Sequence, residues 1–208
     1  MFISQEQQQT LLETARRSIR ETLRGNSQLA IPVTSDPLLT MPAGCFVSLH
    51  DMSSHRLRGC MGRLQSSDPL IKSIFETAQS VLLDPRFRDH PVTLGELATL
   101  DLEISVLSPL TEAANPLDFD PPNEGIYLIC GARAGTFLPQ VARETGWTRE
   151  QLLARLCTEK MGLPPNAWRD PQAKLLKYQA SVIGPVPFLT EAERAAAPTA
   201  FFGTTNIF

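Results

Sequence analysis

The chain has 208 residues, 42% of them hydrophobic and 20% charged, with a net charge of −3 and a pI near 5.6. This is the balance of a globular protein with room for a real core, and its acidity argues against general attraction to nucleic acid or anionic membrane. No apolar run approaches the ~20 residues of a bilayer span, and Met1-Phe2-Ile3-Ser4-Gln5 lacks the layout of a signal peptide. No membrane association is therefore expected, and a cytoplasmic location is.

Residues from about Glu6 to Arg24 carry Leu11, Leu12, Ala15, Ile19 and Leu23 at helical spacing, with Arg16, Arg17, Arg20 and Arg24 largely on the other face. Gly25 follows as a C-cap. Ala43 to His50 is strand-like, Asp51-Met52-Ser53-Ser54 is a turn, and His55 to Leu64 is a second strand, which together predict a hairpin. A four-residue loop pairs His50 with His55 and Cys45 with Cys60, within reach of a thiol contact or disulfide, though one residue of slip removes that pairing.

Ser67-Asp68-Pro69 predicts the start of a second helix with an apolar face of Leu70, Ile71, Ile74, Phe75 and Ala78. It stops at Asp84-Pro85-Arg86-Phe87, and Thr93 with Glu96 three residues on has the form of a capping box. Asp101 to Leu107 alternates as a half-buried strand. The polar, proline-rich stretch from Asn115 to Glu124 is the expected loop between two halves. A second hairpin is expected from Gly125–Cys130 and Thr136–Leu138, then a helix opened by Thr148 and Gln151, then a final strand from Lys174 to Ile183. Residues 1–188 are expected to form a single domain, larger lobe plus smaller, and residues 189–208 a C-terminal tail, docked or disordered. The order of elements is α+β with a mainly antiparallel sheet flanked by helices.

Cys45, Cys60, Cys130 and Cys157 never form a C-x-x-C pair, and His50, His55 and His90 have no ligand spacing. No metal site is expected. No Gly-rich loop joins a strand to a helix in a nucleotide-binding manner, and no cofactor is expected.

Cys60 stands out because it lies between Gly59 and Gly62, with Arg58 two residues before it. On a strand Arg58 and Cys60 share a face. A nearby cation favours thiolate, and the glycines leave the sulfur open to a ligand or another backbone, as a nucleophile requires. The competing reading is a tightly packed strand whose cysteine is filler. Asp84 and Arg86 form either an anion clamp or an ion pair pinning a loop, and His90 is either a base for the thiol or a solvated residue. Glu103 is an acid, a base or a partner for Arg58.

LRGCMGRL, DPRF, LEISVLSPL, FLPQVARETGW and LCTEKMGLPPNAWRD, in order between Gly44 and Gly184, resemble the AMMECR-one domain family. The resemblance implies two unequal lobes with a cleft lined by the LRGC motif. It carries over Leu57, Arg58, Gly59, Cys60 and Gly62, then Asp84, Pro85, Arg86 and Phe87, then Glu103, Pro139, Gln140 and Trp147. Met61 stands where the family usually has isoleucine, and Arg88-Asp89-His90 departs from its pattern, which removes His90 as a shared base. No defined reaction comes with the resemblance. It implies Memo-like and radical SAM partners in a modification pathway acting on a small molecule, peptide or RNA. Two functions follow. One is a cysteine-dependent enzyme with Cys60 and Arg58 catalytic and Gly59, Gly62, Asp84, Arg86, Glu103 and Gln140 binding substrate. The other is a non-catalytic ligand- or peptide-binding adaptor using the same residues.

Overall fold

The computed structural model describes residues 2–26 and 28–196, with side chains through 194. The expected tail lies outside the described residues from 197 onward. The chain divides into two compact units, one built on Ile3–Ser105 and the chain from Val182, the other on Val106–Ser181. The stretch from Asn115 to Glu124 is a loop, but it lies inside the second of these and does not separate them.

The terminal unit begins with helix α1 (Gln5–Leu23). Ser4 opens it with a capping box, its hydroxyl accepting from the Gln7 N–H while the Gln7 amide accepts from the Ser4 N–H. Leu11, Ala15 and Ile19 are fully buried, as their spacing predicts. Arg16 is a correction: it is buried too, its Nη2 donating to the Pro187 carbonyl at 2.8 Å. A partner 171 residues away lets a cation enter a face that also buries Thr14 and Ser18. Gly25 ends the helix with φ of +80°, which a side chain would strain.

A short helix α2 (Pro37–Thr40), capped by Asp36, precedes strands β1 (Cys45–Asp51) and β2 (Leu57–Arg63). Their register corrects the predicted pairing. Cys45 lies opposite Arg63, Ser48 opposite Cys60, and His50 opposite Leu57, with a bulge between Leu49 and His50. The turn is longer than four residues because the Asp51 carboxylate folds back onto the N–H and hydroxyl groups of Ser53 and Ser54. No Cys45–Cys60 bond is compatible with this register.

Helix α3 (Leu70–Ser80) packs against α1 and β1, and the Ser18 hydroxyl donates to the Phe75 carbonyl across the two helices. It starts after Pro69 without a side-chain cap, because Asp68 instead accepts from Lys72 one turn on. Single 3₁₀ turns follow at Val81–Leu83, Pro85–Phe87 and Gly95–Thr99. Strand β3 (Leu100–Leu107) alternates as predicted at its start and is buried on both faces from Ile104 onward.

In the middle unit the chain forms β4 (Thr111–Glu112), β5 (Gly125–Cys130) and β6 (Arg133–Phe137), the last two joined by a turn of only Gly131-Ala132. Helix α4 (Pro139–Thr145) was not read from the sequence; Pro139 sits at its first position and Gly146, φ +65°, ends it. Helix α5 (Arg149–Arg155) has the expected Thr148–Gln151 capping box and runs on into one π-turn, Leu156–Lys160. The predicted last strand is two: β7 (Lys174–Tyr178) and β8 (Ala180–Pro187). They belong to different sheets, ordered β2-β1-β3-β8 and β4-β7-β5-β6. The fold is α+β, two four-stranded antiparallel sheets with helices. A last helix, α6 (Glu191–Ala196), is held to α1 by Glu193 and Arg20 at 2.6 Å.

Candidate functional site

Strand β2 is an edge strand, so the N–H and C=O of alternate residues point away from the sheet. At Cys60 both are taken. The Asp84 carboxylate accepts the Cys60 N–H at 2.9 Å, and Arg86 Nη2 donates to the Cys60 carbonyl at 3.3 Å. Together the two side chains bond the strand as a neighbouring backbone would. The local sequence explains how they reach it. Asp84 caps the 3₁₀ turn Pro85–Phe87 by accepting from the Arg86 N–H, and Pro85 fixes the first position of that turn.

Asp84 and Arg86 also bind each other through a two-point fork, Nε to Oδ1 at 3.0 Å and Nη2 to Oδ2 at 2.6 Å. The Asp84 side chain is 3% exposed and that of Arg86 54%. Hydrogen bonding from Arg86, helped by the Cys60 and Arg86 amides and opposed by burial, lowers the Asp84 pKa to about 2. Asp84 in turn holds the Arg86 guanidinium above its ordinary value; burial works against this, and the Cys60 thiol adds to it as a close neighbour.

Arg58 is committed elsewhere. Its Nε donates to Glu96 Oε1 at 2.5 Å and its Nη2 to Glu96 Oε2 at 3.1 Å, and Nη2 also reaches the His90 carbonyl at 2.7 Å. Glu96, read from sequence as a capping residue, spends its carboxylate mainly on Arg58 and only weakly on the Thr93 N–H. The carboxylate forked onto Arg58 is therefore that of Glu96 and not of Glu103. No sequence signal marks a contact spanning 38 residues. The guanidinium that reaches Cys60 is that of Arg86, through the Cys60 carbonyl. His90 is exposed and contributes its backbone carbonyl to Arg58.

The Phe87 ring lies within cation–π range of both cations, 5.5 Å from Arg58 and 5.8 Å from Arg86. The structure thus gathers Arg58, Gly59, Cys60, Asp84, Arg86 and Phe87 around the edge of β2. Glu103 stands half-buried on β3 of the same unit, whereas Gln140 opens α4 in the other.

The glycines have packing roles. A Cβ on Gly59 would lie 2.9 Å from the Val81 carbonyl oxygen, so the close approach it permits is that of the turn after α3. At Gly62 the Phe46 ring from the opposite strand fills the space. Gly59 thus admits another backbone, one of the two approaches the sequence suggested, and Cys60 between the two glycines is partly exposed.

Cys60 and Cys130 are partly exposed, while Cys45 and Cys157 are fully buried. Burial pushes the Cys45 thiol up to about 11 and raises Cys130 and Cys157. Among the described residues no group of three or more His, Cys, Asp or Glu side chains is placed to hold a metal, and no helix is long and apolar enough to cross a membrane.

The AMMECR1 family model matches residues 12–183. A protein of Methanothermobacter thermautotrophicus is 36% identical over 189 residues, covering 86% of this chain and 95% of its own. Protein PF1979 of Pyrococcus furiosus is 36% identical over 181 residues, covering 83% of this chain and 85% of its own. The crystal structure of protein PH0010 from Pyrococcus horikoshii aligns with a TM-score of 0.78 at 34% identity, covering 86% of this chain and 92% of that one.

Proposed function

The chain belongs to the AMMECR1 family, and from that premise we propose that the Cys60 face of β2 is a ligand-binding site and the protein a non-catalytic binding module. The observation that carries this reading is the use of the two arginines. Arg58 is locked to Glu96, and Arg86 and Asp84 grip the backbone of Cys60. This machinery fixes the shape of the site, and His90, the imidazole the sequence offered as a base, gives its backbone carbonyl to Arg58. The Memo-like and radical SAM proteins implied by the family resemblance are the partners to which such a module presents its ligand, a small molecule or a peptide.

One observation favours a second reading, a cysteine-dependent enzyme. Arg86, bonded to the Cys60 carbonyl, is a cation beside a partly exposed cysteine, the kind of neighbour that catalytic cysteines have. Mass spectrometry separates the two after incubation with a small-metabolite extract. A binding module gives mass increments under native conditions that vanish on denaturation and survive Cys60→Ser. A Cys60-dependent increment that persists through denaturation overturns it in favour of the enzyme.

A further inference from the structure

The two arginines of the site are engaged in the same way. In each, a carboxylate takes the Nε and Nη2 edge of the guanidinium, Glu96 on Arg58 and Asp84 on Arg86. Each also gives Nη2 to a backbone carbonyl, that of His90 or of Cys60. What remains on both is Nη1. On Arg58 this atom is buried and makes no hydrogen bond among the described residues. On Arg86 it belongs to a side chain that is 54% exposed.

A guanidinium held by one edge is oriented, and its other edge loses little freedom when it meets a ligand. Both groups share the Phe87 ring, and Arg86 adjoins the Cys60 thiol. Arg56 just before β2 and Arg88 just after the 3₁₀ turn are exposed, and with Arg58 and Arg86 they outnumber Asp84, Asp89 and Glu96 by one charge, on a chain whose net charge is −3. An anion is thus favoured at this spot although the chain as a whole repels it.

We propose that Arg86, with the charge of Arg58 behind it and the Cys60 thiol beside it, forms a binding site for an oxyanion, the phosphate or carboxylate group of a small molecule. The inference rests on the binding-module reading and adds the chemical class of the ligand. Nη1 of Arg86 makes the first contact. Phe87 supplies an apolar wall for the carbon skeleton that bears the anionic group. Cys60 then lies against the bound group without reacting with it.

The test uses the full chain and inorganic phosphate or sodium acetate, each compared with chloride at matched ionic strength. The readouts are the rate at which iodoacetamide alkylates Cys60, followed by peptide mapping, and the ¹⁵N resonance of the Arg86 Nε–H. For a Kd of about 1 mM, about 10 mM anion slows alkylation roughly tenfold, because the free fraction falls as one over 1 + [L]/Kd. The Arg86 resonance shifts along the same titration curve. Arg86→Lys keeps a charge but loses the fork, and it loses the protection; far-UV circular dichroism verifies that it is folded. Protection by phosphate alone identifies a phosphate ester as the ligand group, and protection by acetate alone a carboxylate. Protection by neither anion, with the Arg86 resonance unmoved, overturns the proposal, as does equal protection in Arg86→Lys. If the metabolite increments of the binding-module test persist in that event, the binding reading stands and only the oxyanion class is lost.

Discussion

The carboxylate of Asp84 accepts the backbone N–H of Cys60 at 2.9 Å on the open side of an edge strand. It is nearly fully buried, and it also neutralises Arg86. Asp84→Ala strips the acceptor from both groups and is expected to cost about 1–3 kcal/mol of stability, chiefly through the orphaned Cys60 N–H, since the exposed Arg86 stays hydrated. Urea denaturation of the two proteins checks this; equal midpoints would refute it.

The same carboxylate sets a pH dependence. Its pKa is depressed to about 2 when folded, so its stabilisation is complete above the ordinary carboxylate value of about 3.9 and fades as pH falls toward the folded value. Asp84→Asn removes that dependence. Stability measured between about pH 5 and pH 2.5 is expected to fall less steeply in the variant than in the parent.

The four thiols differ in access. Cys60 and Cys130 are partly exposed and Cys45 and Cys157 fully buried; burial raises Cys45 to about 11 and also lifts Cys130 and Cys157. Iodoacetamide is expected to label Cys60 first and Cys45 only on unfolding. Peptide mapping in a time course gives the order, and labelling of Cys130 ahead of Cys60 contradicts it.

Arg58 and Glu96 form a two-point ion pair whose side chains are 18% and 27% exposed. A double-mutant cycle with Arg58→Ala and Glu96→Gln is expected to give a coupling energy of about 1–3 kcal/mol. Arg58→Lys recovers only a small part of it, since an ammonium cannot fill the fork.

In the middle unit Tyr178 is buried opposite Gly125, and burial pushes its hydroxyl up to about 12. That hydroxyl bonds Thr136 at 2.7 Å and donates to the Phe137 carbonyl at 3.2 Å. A Cβ on Gly125 would stand 2.6 Å from the Tyr178 ring. Gly125→Ala is expected to cost about 1–3 kcal/mol through overpacking, and Tyr178→Phe about 1 kcal/mol through the lost hydrogen bond. Denaturation midpoints rank the two.

Elements governed by neighbours in the chain were legible. The apolar spacing of α1 and α3, the alternation of β3 and the Thr148–Gln151 box all act within a few residues. What could not be read depends on distant partners. Arg16 is buried because a carbonyl 171 residues away accepts from it, and the bulge at Leu49/His50, which moves Cys60 opposite Ser48, has no local mark. The site behaves likewise. Both motifs, LRGC and DPRF, stand out in the sequence, the first read as acting on the sulfur and the second as an anion clamp or a loop-pinning ion pair, and the ion pair is present. The structure joins them instead through the backbone of Cys60, a bond between main chain and side chain that no side-chain pattern encodes.

The grip of Asp84 and Arg86 on Cys60 has a consequence for the protein in a crowded cell. An uncovered edge strand is a template onto which a strand of another molecule can add. With the Cys60 N–H and C=O occupied by side chains, an incoming chain finds no donor or acceptor to pair with at that point. The residues that hold Cys60 in place therefore also remove one rung from the ladder that a second strand needs at this edge, and removing either one restores part of it.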